Sequence, residues 1–186
     1  MTNFLFLFFF VIALSLASQI LKAEDLTVDS AASEIKFKAI GKPGFLRING
    51  QSKGLTGRLQ ADLGSVHFEL PLETLDTGID ERDRHMKNKY LEVEKFPLAE
   101  LDASSLKLKV PGDNESDFKA ILKLHGLSKE INGQGRLDCK SEKSCTFDGK
   151  FSLNLSDFKI DIPSFAGITV AEKVEIEAHI AFVSGK

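Results

Sequence analysis

LPLETLDTGIDERDRHMKNKYLEVEKFP, Leu70 to Pro97, is the one long stretch beyond residue 23 that does not read as a strand. Asp80 is the expected N-cap, with Asp83 three residues on, and Met86, Tyr90 and Leu91 fall at helical spacing. Opposite charges four apart, Asp80 with Arg84 and Asp83 with Lys87, support a short exposed helix by only a few tenths of a kcal/mol per pair. The spacing therefore predicts one short helix near residues 80–90, with a single apolar stripe that must lie on something. A sheet made by the rest of the chain is the natural support, and a lid or plug at its open end or flank is the natural place.

Working outward, apolar residues alternate with polar ones on both sides of that stretch. Ile35, Phe37 and Ala39 alternate with Lys36 and Lys38; Leu55, Gly57, Leu59 and Ala61 follow, then Val66, Phe68 and Leu70. After the helix we expect strands at Leu106–Val110 and Phe118–Leu124, and one ending near Leu137. Two more, Cys145–Leu155 and Val174–Phe182, complete the set. Strands with one apolar face and short turns such as Pro111-Gly112-Asp113-Asn114 make an antiparallel sheet covered on one side only. Such a sheet closes into a barrel or packs on a second sheet, and alternation alone does not separate the two. Small residues at inward positions, among them Gly133, Gly135, Gly149 and Ala120, either leave room for a lumen or mark bends and bulges.

Three stretches resemble one known family. The run Thr77 to Pro97, TGIDERDRHMKNKYLEVEKFP, is similar to the signature of the YceI-like family. Leu122-Lys123-Leu124-His125-Gly126-Leu127-Ser128-Lys129 and Leu155-Ser156-Asp157-Phe158-Lys159-Ile160 resemble its later motifs, in the same order and spacing. The resemblance implies an all-β fold, an antiparallel lipocalin-like barrel of about eight strands with one short helix inserted near residues 80–90. It also implies a periplasmic protein that binds a polyisoprenoid or another long-chain lipid.

The start of the chain agrees with that compartment. Residues 4–17, FLFLFFFVIALSLA, are too short for a comfortable membrane span of about 20 residues and read as the apolar region of a signal peptide. We expect cleavage after Ala23, a single domain over residues 24–186, and no stable membrane anchor once the leader is gone. Cleavage would leave 23 basic against 27 acidic residues, which argues against nucleic acid and anionic membrane surfaces as partners. Cys139 and Cys145, close in sequence in an exported protein, read as a disulfide clamping a hairpin, worth about 2 to 2.5 kcal/mol on the chain-entropy picture.

Of the 15 Phe, ten lie beyond residue 23, and the chain has one Tyr and no Trp. Inside a barrel these rings would wall an apolar cavity, although core packing alone also accounts for each of them. The expected lining is Phe37, Phe68, Leu70, Met86, Tyr90, Phe118, Leu122, Phe151, Leu153 and Phe182, with His85 and His125 at the mouth or its turn. His67 and His179 fall on outward strand faces, and no His pair has metal-ligand spacing. The helix charges read as a solvated face or as a head-group site, with Arg82, Arg84 and Lys87 toward a phosphate.

The leading expectation is thus a non-enzymatic carrier of a long apolar lipid, with no cofactor, no metal and no catalytic residue, and with room for a homodimer. The alternatives are an enzyme acting on a lipid head group near His85 and His125, or a filled barrel that binds a partner or serves in stress.

Overall fold

The computed structural model describes residues 25–42, 47–165 and 168–185, so the expected leader over residues 1–23 lies outside the described residues. Alternation is obeyed most strictly in the last strand, β11 (Ile168–Ser184), where Val174, Ile180 and Phe182 are buried and Lys173, Glu175, Glu177 and His179 are exposed. An antiparallel ring forms around it. Its members are β1 (Leu26–Val28), β4 (Thr56–Gln60), β5 (Ser65–Pro71), β6 (Leu98–Ala103), β7 (Gly112–Leu124), β8 (Leu127–Ser141), β9 (Ser144–Asn154) and β11, with β1 pairing back on β11. The barrel is therefore closed, with eight strands and no free edge around the ring. The hairpin of β2 (Glu34–Lys42) and β3 (Arg47–Ser52) extends the wall by pairing on β11 between Thr169 and His179, and β10 (Ser164–Phe165) adds a short pairing at the start of β11.

Two ends can be told apart. One carries the β8–β9 hairpin, where Cys139 and Cys145 stand opposite each other with Cα atoms 4.0 Å apart, joined as a buried disulfide. Leu26, Leu59, Leu137, Ile180 and Phe182 pack around it. The other carries the long insertion between β5 and β6, the β7–β8 turn and the 3₁₀ turn Leu155–Phe158. A second buried cluster, including Leu72, Leu75, Leu91, Val93, Leu124, Phe158 and Ile160, sits there.

The insertion holds α1 (Asp80–His85), continued as a π turn through Met86–Tyr90. Its cap differs from expectation: Ile79 is the N-cap residue and makes no side-chain cap. Asp83 instead reaches back to accept the Thr77 N–H at 3.0 Å, so this carboxylate fixes the turn before the helix. The expected i,i+4 charge pairs are also replaced, Arg84 bonding Glu81 and Lys87 lying 3.5 Å from Glu73.

Two strand assignments change as well. Leu106–Val110 is not a strand but part of the loop before β7, where the Leu106 N–H donates to Gly64 O and Asn114 holds both backbone groups of Lys109. Gly64 is required there, since its φ is +57° and a Cβ would lie 2.0 Å from Leu106 O. The strand in the expected place is β6, LAELDA, whose inward Ala99 and Ala103 weaken the apolar signal in the sequence.

Candidate functional site

Between the two buried clusters the barrel is not filled. A cavity of about 640 Å³ runs inside it, within the range of about 300 to 1,000 Å³ usual for small-molecule sites. Alternation explains its wall: apart from a few exposed residues such as Ile121 and Val183, the strands turn their apolar residues inward, and near the middle they meet empty space rather than each other. Phe37, Leu70, Phe118, Phe151 and Leu153 are for that reason only half-buried although all face the lumen.

The structure places Phe37, Phe68, Leu70, Met86, Tyr90, Phe118, Leu122, Phe151, Leu153 and Phe182 around this space. Met86, Tyr90 and Leu91 bring the apolar stripe of the helical insertion onto the same space. The inward glycines of β8 and β9 are each covered by an aromatic ring. A Cβ on Gly133 would lie 2.4 Å from the Phe118 ring, and one on Gly135 or Gly149 would lie 2.4 Å from the Phe147 ring. Each glycine is thus the seat of an aromatic ring laid flat against the wall. Phe118 and Phe147 meet edge to face, with centroids 6.1 Å apart.

The two motif histidines part company. His85 lines the cavity, with Nε2 3.1 Å from Glu81. His125 is off the cavity, in the β7–β8 turn, where its φ of 50° and the 74° of Gly126 suit a tight two-residue hairpin turn. Its Nδ1 lies 3.0 Å from the Phe158 carbonyl, its Nε2 2.9 Å from Glu92, and Phe96 stacks edge-on at 4.5 Å. One ring thereby ties the hairpin turn, the end of the helical insertion and the 3₁₀ turn together.

Polar groups on the lining are few, and Glu100, Asn114, Ser116 and Ser164 stand on the strands. Thr77, Glu81, Arg82 and His85 all come from the helical insertion. Arg84 bonds both oxygens of Glu81, and this hydrogen bonding holds the Glu81 carboxyl below its ordinary value. Outside the barrel, His67 bonds Asp102 and Glu69, which raise its pKa in that order, and His179 bonds Asp148. Both are surface contacts. Among the described residues no group of three or more His, Cys, Asp or Glu is placed to hold a metal ion.

Comparison with known proteins adds the family. The model of the YceI-like domain matches residues 26–182. The chain belongs to the YceI-like domain family. Among solved structures, this YceI-like barrel is similar to a polyisoprenoid binding domain from Saccharophagus degradans implicated in plant cell wall breakdown. The TM-score is 0.73 at 17% identity, over 86% of this chain and 98% of that one. Burkholderia cenocepacia BcnA gives a TM-score of 0.68 at 17% identity, over 83% of this chain and 98% of that one. At these identities the likeness speaks for the fold. No curated protein matches the chain.

Several lining residues of the YceI-like barrel were not legible from strand alternation. Leu72, Leu75, Thr77 and Ile79 come from the segment between β5 and α1. Their only signal is apolar residues two or three apart in a segment without a continuous period. Ile48 lies in β3, RINGQS, where it is the one large apolar residue and gives no alternation to read.

Proposed function

We propose that this YceI-like protein is a carrier that holds one long apolar chain, polyisoprenoid or fatty-acid-like, inside the barrel. The observation that carries the reading is the cavity of about 640 Å³ with inward side chains left half-buried around it. Covering them with a hydrocarbon chain is favourable by about 0.8 kcal/mol per CH2, so affinity would grow with chain length until the lumen is full. The structurally similar Saccharophagus degradans domain is a polyisoprenoid binding domain, which agrees with such an occupant. Binding rather than catalysis is favoured because, of the two motif histidines, only His85 lines the cavity, while His125 is held off it by the Phe158 carbonyl and Glu92. The buried Cys139–Cys145 disulfide and the apolar region at residues 4–17 support export to the periplasm, with cleavage after Ala23 giving a single domain over residues 24–186.

Native mass spectrometry of protein purified from its own host, followed by organic extraction, tests the reading. We expect a bound mass that extraction removes as a long-chain lipid, on a chain that begins at Glu24. Protein that is empty as isolated and takes up no long-chain compound afterward would mean the lumen is not a binding site.

A further inference from the structure

β7 pairs with β8 along all 13 of its residues but with β6 only where Glu100–Asp102 meet Ile121–Lys123. Along Asp113–Lys119 the edge of β7 that faces β6 therefore carries no strand, and the chain leaving β6, Ser104–Pro111, passes there as a strap. The wall is open beside it, since Ser116 lines the cavity and is nevertheless exposed. The strap is tied to its neighbours through the Leu106 N–H, which donates to Gly64 O at 2.8 Å, and through Asn114. Asn114 Oδ1 accepts the Lys109 N–H at 2.8 Å and its Nδ2 donates to Lys109 O at 2.9 Å, so a side chain stands where a strand pair would use backbone.

An unpaired strand edge is a template for another strand, and the alternation of Leu106, Leu108 and Val110 with Lys107 and Lys109 is that of a strand. Continued without a break, the β6–β7 ladder would set Leu106 opposite Asp117 and Leu108 opposite Glu115, inward residues against outward ones. Ser105, whose φ is 61°, interrupts that register. As the extra residue of a bulge it moves every later residue of the strap one place along β7. Leu106 then meets Phe118, Leu108 meets Ser116 and Val110 meets Asn114 on the inner face; of these six, all but Val110 already line the cavity. On the outer face Lys107 meets Asp117 and Lys109 meets Glu115. All four charged residues are exposed, and none has an ion pair among the described residues. Asp117 accepts from Gln134, and Arg136, opposite Glu115 on β8, bonds Asp113 at 2.6 Å. The same shift leaves Pro111-Gly112-Asp113 as a three-residue hairpin loop, a common length. Alternation, charge and loop length are satisfied by one register.

We propose that Ser104–Pro111 is a latch with a second state, zipped onto β7 in that register, and that it gates a side opening of the lumen between β6 and β7. Unzipped, as in this structure, it leaves Ser116 on the rim of the opening; zipped, it completes the wall. As a gate it rests on the carrier reading above, and it adds the route by which the cargo passes.

The test places Lys107→Cys with Asp117→Cys in the whole mature chain, whose own disulfide is buried. The zipped register brings these two Cα atoms into the span of about 4.4–6.8 Å that a disulfide bridges. Lys107→Cys with Ser116→Cys is the control, because in that register the two side chains leave opposite faces of the sheet. On mild oxidation the first pair should close about tenfold faster than the control, for which no good disulfide geometry exists. The locked protein should take up cis-parinarate, a fatty acid that fluoresces in apolar surroundings, about tenfold more slowly than the native chain, as expected when a closed strap limits access. Reduction should restore the rate, with the native chain in the same reductant as reference. Should the cysteine pair not fold, Asp117→Lys on the surface should speed uptake about twofold by removing one cross-strand ion pair, and Lys107→Glu added to it should return the native rate. Equal closure of the two cysteine pairs, uptake that the lock leaves unchanged, or a charge swap without rescue overturns the latch and leaves the carrier reading standing. A native chain that takes up no long-chain probe removes the carrier reading, and the gate with it.

Discussion

Phe147 lies over two glycines, Gly135 and Gly149, and Phe118 over a third, Gly133, so the width of the lumen is set by residues that have no side chain. A methyl group on Gly149 would stand 2.4 Å from one Phe147 ring carbon and 2.5 Å from another. The ring cannot stay where it is, and the space open to it is the cavity it lines. Gly149→Ala should therefore cost about 1 to 3 kcal/mol by overpacking and also shrink the lumen. Urea unfolding measures the first effect, and affinities for a graded series of fatty acids measure the second. We expect the longest chains to lose most. A loss of stability with an unchanged length preference would mean that Phe147 fills core and does not shape the site. Such pairings are invisible in one dimension: Gly149 is two residues from Phe147, but Gly135 reaches the same ring only through the register of β8 and β9.

At the scale of elements, α1 and its π turn differ from the strands in what holds them. No residue of Asp80–Tyr90 is buried, and α1 has no side-chain cap, whereas Leu91 and Val93 just beyond are buried. Glu92 is tied to His125, so the insertion is bolted at its downstream end. Amide exchange should show Asp80–Tyr90 opening well before the centre of β11, with protection rising at Leu91. Exchange of the helix as slow as that of Val174–Phe182 would argue against its serving as the moving side of the mouth. The helix was legible because its charges and its Met86, Tyr90, Leu91 stripe break a period of two that holds elsewhere. Its capping was not, because Asp83 acts on Thr77, six residues upstream, and no local pattern marks that reach. The same limit hid β6 behind its two inward alanines and promoted Leu106–Val110, whose alternation is real but whose backbone bonds go to Gly64 and Asn114.

The whole molecule has two buried clusters, one at each end, with a largely apolar cavity between them. A ring of strands joins the ends, and the lumen contributes little packing of its own. Occupancy by a long chain would add contacts that the empty barrel lacks, so a ligand should stabilise the whole fold. At a hundredfold excess over its Kd a ligand that binds only the folded state adds about 2.7 kcal/mol. For a domain of this size that corresponds to roughly 5 to 10 °C in Tm. We expect the delipidated protein to gain about this much on addition of a long-chain fatty acid or isoprenoid. The gain should be lost in Leu122→Glu, because an unpaired carboxylate in the wall draws water into the lumen and costs several kcal/mol to bury. Leu122 is 5% exposed and lines the cavity, so the variant will melt lower even without ligand. The decisive quantity is therefore the ligand-induced shift within each protein, measured by calorimetry with and without lipid. An unchanged shift in Leu122→Glu would place binding outside the barrel, and no shift in either protein would leave the lumen an empty space between two well-packed ends.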